Sequence, residues 1–332
     1  MKISIAMTTY NGAAYVQAQL DSFARQTRLP DELVITDDGS TDATPDIVRA
    51  FARAAPFAVR YEVNPKNLGF AQNFSRAMSL CTGDLIFLSD QDDVWFEDKL
   101  RTMSDLALAE PGRACFMNDA VLADGSLNTQ GHTKLGQIRA AGLADSTFVM
   151  GCCVVAKRAL ADIALPVPQG LPSHDNWLVQ LADVLDLTLR IETPLQYYRL
   201  HGRNVSDFFV NRGERPRPLD RLKARVLRLG KQRRSSTNLD KERLFLDAIA
   251  TRLAERRAQC ATLVGAAVAT RAEAAVGRRL EALTRRGAIR NLPVPARPTA
   301  VFQLWRDGGY RVSGGRSGML KDLMAARSAP FA

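Results

Sequence analysis

The sequence is sparing with sulfur and imidazole. Its 332 residues hold five cysteines, an odd number, and three histidines. No C-x-x-C pair occurs, and Cys81, Cys115, Cys152, Cys153 and Cys260 each sit among apolar neighbours. This excludes a disulfide framework and predicts small buried residues in a reducing compartment. No apolar run approaches the roughly 18–20 residues of a membrane span. Met1 to Ile5 enters a strand-like pattern without a charged-then-apolar leader, so no signal peptide is expected. No G-x-G-x-x-G follows a strand pattern, which argues against a dinucleotide-dependent oxidoreductase. There is no internal repeat.

What is present reads as a globular protein. Hydrophobic residues make up 46% and charged residues 24%. The length suits one large domain with an appendage, or two domains. The net charge of +10 is unevenly spread. Residues 1–210 carry 18 basic against 25 acidic side chains, a net of −7, whereas residues 211–332 carry 27 against 10, a net of +17. The two parts therefore have different work to do. We expect a domain over 1–210 and a basic, mainly helical region over 211–332.

The first hundred residues alternate strand and helix patterns. Strands are expected at Lys2–Met7, Glu32–Thr36, Val59–Val63 and Asp84–Ser89, with helices from Tyr15 to Phe23, from Thr44-Pro45-Asp46, and from Phe70 to Leu80. Such alternation predicts an α/β fold with a mostly parallel sheet, whose ligands bind beyond the carboxyl ends of the strands. Three of those ends carry polar clusters: Thr8-Thr9-Tyr10-Asn11, Asp37-Asp38 and Asp90-Gln91-Asp92-Asp93. Further strands are expected at Cys115–Met117, Thr147–Ala156, Leu189–Ile191 and Leu195–Arg199, and a helix at Asp175–Leu185. Residues 212–218 read as a linker. Leu219, Leu222, Val226 and Leu229 recur at helical spacing beside arginines, 240–287 reads as one or two helices, and the Pro- and Gly-rich stretch from Asn291 as irregular.

Three carboxylates within four residues repel one another unless a cation neutralises them. Mg²⁺ and Mn²⁺ take oxygen ligands and share them with phosphates, and D-x-D spacing on extended chain points Asp90 and Asp92 to one side. The plain alternative is a solvated turn capping a helix before Val94-Trp95. Asp37-Asp38-Gly39-Ser40-Thr41-Asp42 offers carboxylates for a base N–H and ribose hydroxyls, or a turn whose Thr41 or Asp42 caps the next helix.

Four segments in order carry a resemblance: Thr8-Thr9-Tyr10-Asn11-Gly12, Asp37 through Asp42, Asn67-Leu68-Gly69 leading to Asn73, and Gly83-Asp84 through Asp90-Gln91-Asp92-Asp93-Val94-Trp95. Over residues 1–210 the chain resembles glycosyltransferase family 2, inverting enzymes of the GT-A fold, and in particular its rhamnosyltransferase-like members. The resemblance implies a nucleotide-sugar donor, a divalent metal (Mn²⁺ or Mg²⁺) and a saccharide or lipid-linked acceptor in cell-surface polysaccharide synthesis. It assigns nucleotide-sugar contacts to Thr9, Tyr10, Asn11, Asp37, Asp38, Asn67, Asn73, Asp90 and Gln91. Asp90 and Asp92 become metal ligands. Asp175, in Ser173-His174-Asp175-Asn176-Trp177, matches the carboxylate that takes the acceptor proton, and His174 stands where the family carries an acid. His201, in Tyr198-Arg199-Leu200-His201-Gly202, matches a histidine that joins the metal site. The alternative for Asp175 is a helix N-cap, and for His201 a hydrogen-bonded structural role.

The +17 tail suits an anionic membrane surface, and the 219–229 stripe suits an interfacial helix. The alternative is a stripe packed on the catalytic domain with solvated arginines. Aromatics in the tail are few (Phe245, Phe302, Trp305, Tyr310 and Phe331), which argues against nucleic acid. We expect a cytoplasmic protein, peripheral on the cytoplasmic face of the inner membrane. Two other readings compete. A nucleotidyltransferase would carry a basic glycine-rich loop after the first strand, which Thr8–Gly12 lacks. An inactive scaffold or membrane adaptor would have no need of Asp90, Asp92 and Asp175.

Overall fold

The structure, a computed structural model, describes residues 1–201 and 236–325. The expected linker and the Leu219, Leu222, Val226, Leu229 stripe lie outside the described residues. Two compact units are present, Met1–Arg215 and Pro216–Ala332.

The first unit is built on a nine-stranded sheet of order β3-β2-β1-β4-β8-β6-β9-β5, with β7 paired to β6. The first four strands are β1 (Ile3–Thr9), β2 (Glu32–Asp37), β3 (Ala58–Val63) and β4 (Leu85–Ser89). They run parallel, joined by α1 (Val16–Ala24), α2 (Thr44–Ala54) and α3 (Phe70–Leu80). All seven residues of β1 and all five of β4 are buried, as an apolar run covered on both faces requires. β3, at the edge, has only exposed and half-buried positions.

Register places the functional segments. Thr9 lies opposite Asp37 and Met7 opposite Ser89, so the carboxyl ends of β1, β2 and β4 open side by side. The mixed half of the sheet holds β5 (Val94–Trp95), β6 (Cys115–Ala123), β7 (Thr129–Thr133), β8 (Val154–Lys157) and β9 (Thr188–Arg199). β8 is antiparallel to both β4 and β6, and β5 is antiparallel to β9. Helices α4 (Lys99–Ala109), α5 (Lys134–Ala140), α6 (Arg158–Ala164) and α7 (His174–Val184) complete the unit. Ile5, Met7, Leu20, Phe23, Phe87 and Trp95 belong to the core, each such side chain worth about 1.5–3 kcal/mol when fully buried.

Two strand expectations are corrected here. The strand expected over Thr147–Ala156 is confined to Val154–Lys157, and two short 3₁₀ turns, Asp145–Thr147 and Gly151–Cys153, precede it. Val149, Met150 and Gly151 line a cavity instead of pairing. Leu189–Ile191 and Leu195–Arg199 are not two strands but parts of one, because β9 absorbs a register shift against β6 where Pro194 meets Asp119. Proline has no N–H for the ladder, so the irregularity falls there.

The second unit is helical: α8 (Ser236–Glu255), α9 (Arg257–Val264), α10 (Ala266–Asn291), α11 (Arg297–Arg306), α12 (Gly309–Val312) and α13 (Gly315–Met324). The region from Asn291, expected to be irregular, is therefore largely helical. Pro298 sits in the first turn of α11, where its missing N–H does no harm, and Gly308 and Gly314 take positive φ between helices. Ile289, Val301, Leu304 and Tyr310 form a small core. Beside it Asp322, fully buried, accepts from Arg286 Nε at 2.7 Å, Arg290 Nε at 2.6 Å and Tyr310 Oη at 2.9 Å. Part of the basic charge is thus neutralised inside this unit.

Candidate active site

The loops after β1 and β2 are tied together by side chains on main-chain groups. Asp37 Oδ1 accepts from the N–H of Gly39 at 3.0 Å and of Ser40 at 2.6 Å. Its Oδ2 accepts from Thr9 Oγ1 at 2.6 Å and Ser40 Oγ at 2.7 Å. The Asp37 carboxylate is therefore buried and saturated by its own loop, and it does not line the cavity. Asp38 lines the cavity instead. Its carboxylate accepts from Asn64 Nδ2 at 2.9 Å and from the N–H groups of Leu68 at 2.7 Å and Gly69 at 2.8 Å. This binds the Asn67-Leu68-Gly69 turn to the end of β2. Asn73 reinforces it, donating to Thr36 O at 3.1 Å and accepting from Asn64 Nδ2 at 2.8 Å.

Asn11 takes a left-handed φ of 49°, which asparagine tolerates, and its Oδ1 accepts from Thr41 N at 2.8 Å. Gln91 acts as a peptide mimic. It accepts from Tyr10 N at 2.9 Å and donates to Tyr10 O at 3.0 Å, pinning the acidic loop to the end of β1. Gly12 leaves room for it, since a Cβ there would fall 2.1 Å from Gln91 Oε1.

The acidic loop is clamped at both ends, by β4 in the sheet and by β5 on β9. Its carboxylates then diverge. Asp93 turns inward, fully buried, accepting from Gln196 Nε2 at 3.0 Å and Arg199 N at 3.2 Å. Burial and the neighbouring Asp92 raise its carboxyl to about 7. Lys99, also buried, donates to Cys152 O at 2.8 Å and Gln196 Oε1 at 2.5 Å, over the Trp95 ring at 3.9 Å. Burial lowers its pKa to about 8. Asp90 and Asp92 face the cavity. Burial holds the Asp90 carboxyl well above the usual range, and Asp92, Asp93 and Asp175 push it the same way. The ligand atoms of Asp90, Asp93 and Cys152 lie within 4.8 Å of one another. His201 Nε2 stands 2.8 Å from Asp92 Oδ2, its ring stacked on Tyr15 at 4.8 Å.

Asp175 opens α7. The N-cap is Ser173, whose Oγ accepts from Asn176 N, so Asp175 is not the capping residue. One Asp175 oxygen, Oδ1, accepts from Ser173 Oγ and from Asn176 N at 2.8 Å. Among the described residues no hydrogen bond involves its Oδ2. His174 is 4% exposed and stacks on Phe74 with ring centroids 3.8 Å apart.

These groups share one cavity of about 870 Å³. Of the residues singled out in the sequence, Thr9, Tyr10, Asn11, Asp38, Asn67, Asn73, Asp90, Gln91, Asp92, Asp175 and His201 line it, and Asp37 does not. The structure adds Tyr15, Lys134 and Met150, for which the sequence held no local signal, and the wall positions of Tyr198 and His174. Lys134 is nearly buried at the start of α5, and burial lowers its pKa to about 8. A hard dication fits Asp90 and Asp92: they are the cavity-facing members of a cluster whose mutual repulsion a cation would relieve. Asp93 and Cys152 have ligand atoms close to that of Asp90 but do not line the cavity, and a thiol suits a hard ion poorly.

Residues 4–162 match the Glycosyl transferase family 2 model. An uncharacterised protein of Mycobacterium tuberculosis is 38% identical over 94 residues, 28% of this chain and 27% of that protein. The dTDP-rhamnosyl transferase RfbG of Shigella flexneri is 35% identical over 103 residues, 30% of this chain and 36% of RfbG. The chain thus spans only about a quarter to a third of the length of these two relatives. The crystal structure of S. aureus TarS 1–349 in complex with UDP-GlcNAc superimposes with a TM-score of 0.56 at 16% identity, covering 97% of this chain and 89% of that one. At that identity the likeness is one of fold, a mixed, mostly parallel sheet of GT-A type flanked by helices.

Proposed function

We propose that this chain, which belongs to glycosyl transferase family 2 through its residues 4–162, moves a sugar from a nucleoside diphosphate to a hydroxyl of a saccharide or lipid-linked acceptor, with inversion. One observation carries this reading. A single cavity presents the Asp38 loop, the Asp90 and Asp92 carboxylates, and Asp175 with an oxygen left open.

In this reading Asp38, Asn67 and Tyr10 receive the nucleoside, and the Thr9–Asn11 loop shapes its side of the cavity. Asp90 and Asp92 would hold a divalent ion, with His201 supporting Asp92. When bound, that ion supplies positive charge against the departing diphosphate. Asp175 takes the proton of the acceptor hydroxyl as the oxygen bonds to the anomeric carbon. The bond from that carbon to the diphosphate oxygen breaks on the opposite face, its electron pair leaving with the nucleoside diphosphate. A positioned carboxylate base is worth roughly 10²–10⁴ in rate. No covalent enzyme intermediate is required. A dTDP- or UDP-sugar, with rhamnose as the transferred group, is supported by the similarity of one segment to a dTDP-rhamnosyl transferase.

We place the protein at the cytoplasmic face of a membrane, in cell-surface polysaccharide synthesis. All five cysteines are free, no described helix is long and apolar enough to cross a membrane, and residues 211–332 carry +17. Phe302 and Trp305 of α11 are 58% and 53% exposed, with ring centroids 5.7 Å apart, a pair suited to an interface. Flotation with anionic vesicles, weakened in Trp305→Ser, supports the docking; no flotation at low salt removes it.

The donor reading is tested by thermal stability against UDP, dTDP and their sugars, with and without Mn²⁺. A ligand at about 100 times its dissociation constant adds roughly 2.7 kcal/mol. A shift with metal that Asp90→Ala abolishes supports the site. No shift with any nucleotide moves the inactive-scaffold reading to the front.

A further inference from the structure

Lys99 is a buried cation that the chemistry above leaves unused. It opens α4, is 1% exposed, and does not line the cavity. Its ammonium donates to Cys152 O at 2.8 Å and to Gln196 Oε1 at 2.5 Å, and stands 3.9 Å from the Trp95 ring centroid. Two neutral oxygens and an aromatic face thus engage its three N–H bonds. Among the described residues no carboxylate pairs with it directly. Burial lowers its pKa only to about 8, so it remains an ammonium at neutral pH. Taking a charge out of water is unfavourable, and an apolar side chain of similar size would fill this place with less penalty. Stability does not explain a lysine here.

Its two partners belong to opposite sides of the reaction centre. Gln196, fully buried, lies opposite Trp95 where β9 pairs with β5. Its Nε2 donates to Asp93 Oδ2 at 3.0 Å, which ties it to the loop that carries Asp90 and Asp92. Cys152 belongs to the turn Gly151–Cys153, directly after the cavity-lining Val149 and Met150. That turn packs on the start of α7, since a Cβ on Gly151 would lie 3.5 Å from Asp175 Cβ. One ammonium therefore joins the acidic loop to the wall beside the base.

We propose that Lys99 is a positioning residue that fixes the Asp90–Asp92 loop relative to the wall at Asp175, an assignment that rests on the active-site reading above. Inverting displacement needs the attacking oxygen, the anomeric carbon and the leaving oxygen in one row. The groups that receive the diphosphate and take the proton must then keep their separation. A displacement of about 1 Å in such a geometry lowers the rate by roughly 10²-fold. Lysine suits the task because its long stem reaches inward from α4 and its ammonium donates to both segments at once.

The test follows release of nucleoside diphosphate from dTDP-rhamnose and from UDP-N-acetylglucosamine by the full chain in Mn²⁺, with water in place of the acceptor. The water oxygen bonds to the anomeric carbon, its proton passes to Asp175, and the bond to the diphosphate oxygen breaks with its electron pair. Wild type is compared with Lys99→Met, Gln196→Met and the double variant. Methionine keeps the length of either side chain and removes its hydrogen bonds. Met103→Ala, a core change one turn further along α4, controls for loosened packing. Turnover should fall about 10–100-fold in each methionine variant, and no further in the double variant. Calorimetric affinity for free dTDP or UDP, and the Mn²⁺ half-saturation, should stay near wild type. Removing a positive charge that acts on Asp90 and Asp93 does not weaken a cation site. Met103→Ala should melt lower yet turn over near the wild-type rate. Turnover in Lys99→Met no lower than in Met103→Ala overturns the assignment. Losses that multiply in the double variant also overturn it, because the two residues then act independently. Nucleotide affinity that falls in step with turnover overturns it too, because Lys99 then serves the donor loop alone. If Lys99→Met does not fold, Gln196→Met against Met103→Ala carries the same comparison. If wild type binds no nucleoside diphosphate, the active-site reading itself fails and takes this assignment with it.

Discussion

His201 Nε2 lies 2.8 Å from Asp92 Oδ2, joining the residue just past β9 to the loop after β4. Tyr15 stacks on the imidazole and also lies under Arg199, whose guanidinium carbon is 4.8 Å from its ring centroid. The carboxylate is thus held by a partner that is itself held. His201→Ala should weaken metal-assisted nucleotide binding about ten-fold or more, as loss of a supporting partner around a metal site does. Nucleotide titrations across Mn²⁺ concentrations check this, and an unchanged metal requirement would refute it.

Asp175→Asn keeps the side-chain shape and the bonds made by Oδ1, but removes the base. Donor binding should persist while the turnover number falls roughly 10²–10⁴-fold. Near wild-type turnover at equal folded protein would sink the assignment.

Asp90 sits half-buried near Asp92, Asp93 and Asp175, and desolvation and those charges disfavour its ionised form. Asp90→Asn should therefore stabilise the metal-free protein near pH 8 by about 1 kcal/mol, roughly 2–4 °C for a domain of this size, while abolishing the Mn²⁺-dependent nucleotide shift. A lower melting temperature in the metal-free variant would show that the repulsion is relieved in another way.

Gly12 is fixed by Gln91. A Cβ at residue 12 would meet Gln91 Oε1 at 2.1 Å and displace the amide from both of its bonds to Tyr10. Gly12→Ala should destabilise by about 1–3 kcal/mol. In a Gln91→Ala background the same change should do much less, which a double-mutant cycle of melting curves reads directly. Full additivity would mean the two residues are uncoupled.

His174 gives acid sensitivity. Its folded pKa of about 4 lies below the ordinary 6.5, so between these values the unfolded chain binds a proton that the folded chain refuses. Its contribution is fully present above about pH 6.5 and declines as the pH falls toward 4, by up to about 1.4 kcal/mol per unit. Melting curves of wild type and His174→Phe from pH 7.5 to 5 should diverge in slope, with the variant flatter. Parallel slopes would exclude a buried neutral imidazole.

The strand–helix order of the first hundred residues was legible because buried parallel strands are short apolar runs that end abruptly in polar residues. The polar clusters at those ends announced the cavity for the same reason. Local pattern failed where tertiary contact overrides it. Val149 to Gly151 carries apolar residues fit for a strand, yet it forms cavity wall. Pro194 falls between the two strands read from the sequence, and the irregular register at Asp119 carries β9 through it. Beyond Asn291, prolines and glycines that suggest irregular chain punctuate helices instead.

The amino-acid sequence alone determined that Asp90, Asp92 and Asp175 would be placed near strand or helix ends, since that follows from residues a few positions apart. Only the tertiary structure decided between equals. Asp37 and Asp38 are identical and adjacent, but one is consumed by Thr9 and Ser40 while the other reaches the cavity. It also decided that Asp92 should find a partner 109 residues away in His201, and that Phe74 should cover the ring of His174. Hydrophobic periodicity reports which face of an element is buried; which long-range neighbour it is buried against depends on how the whole sheet closes.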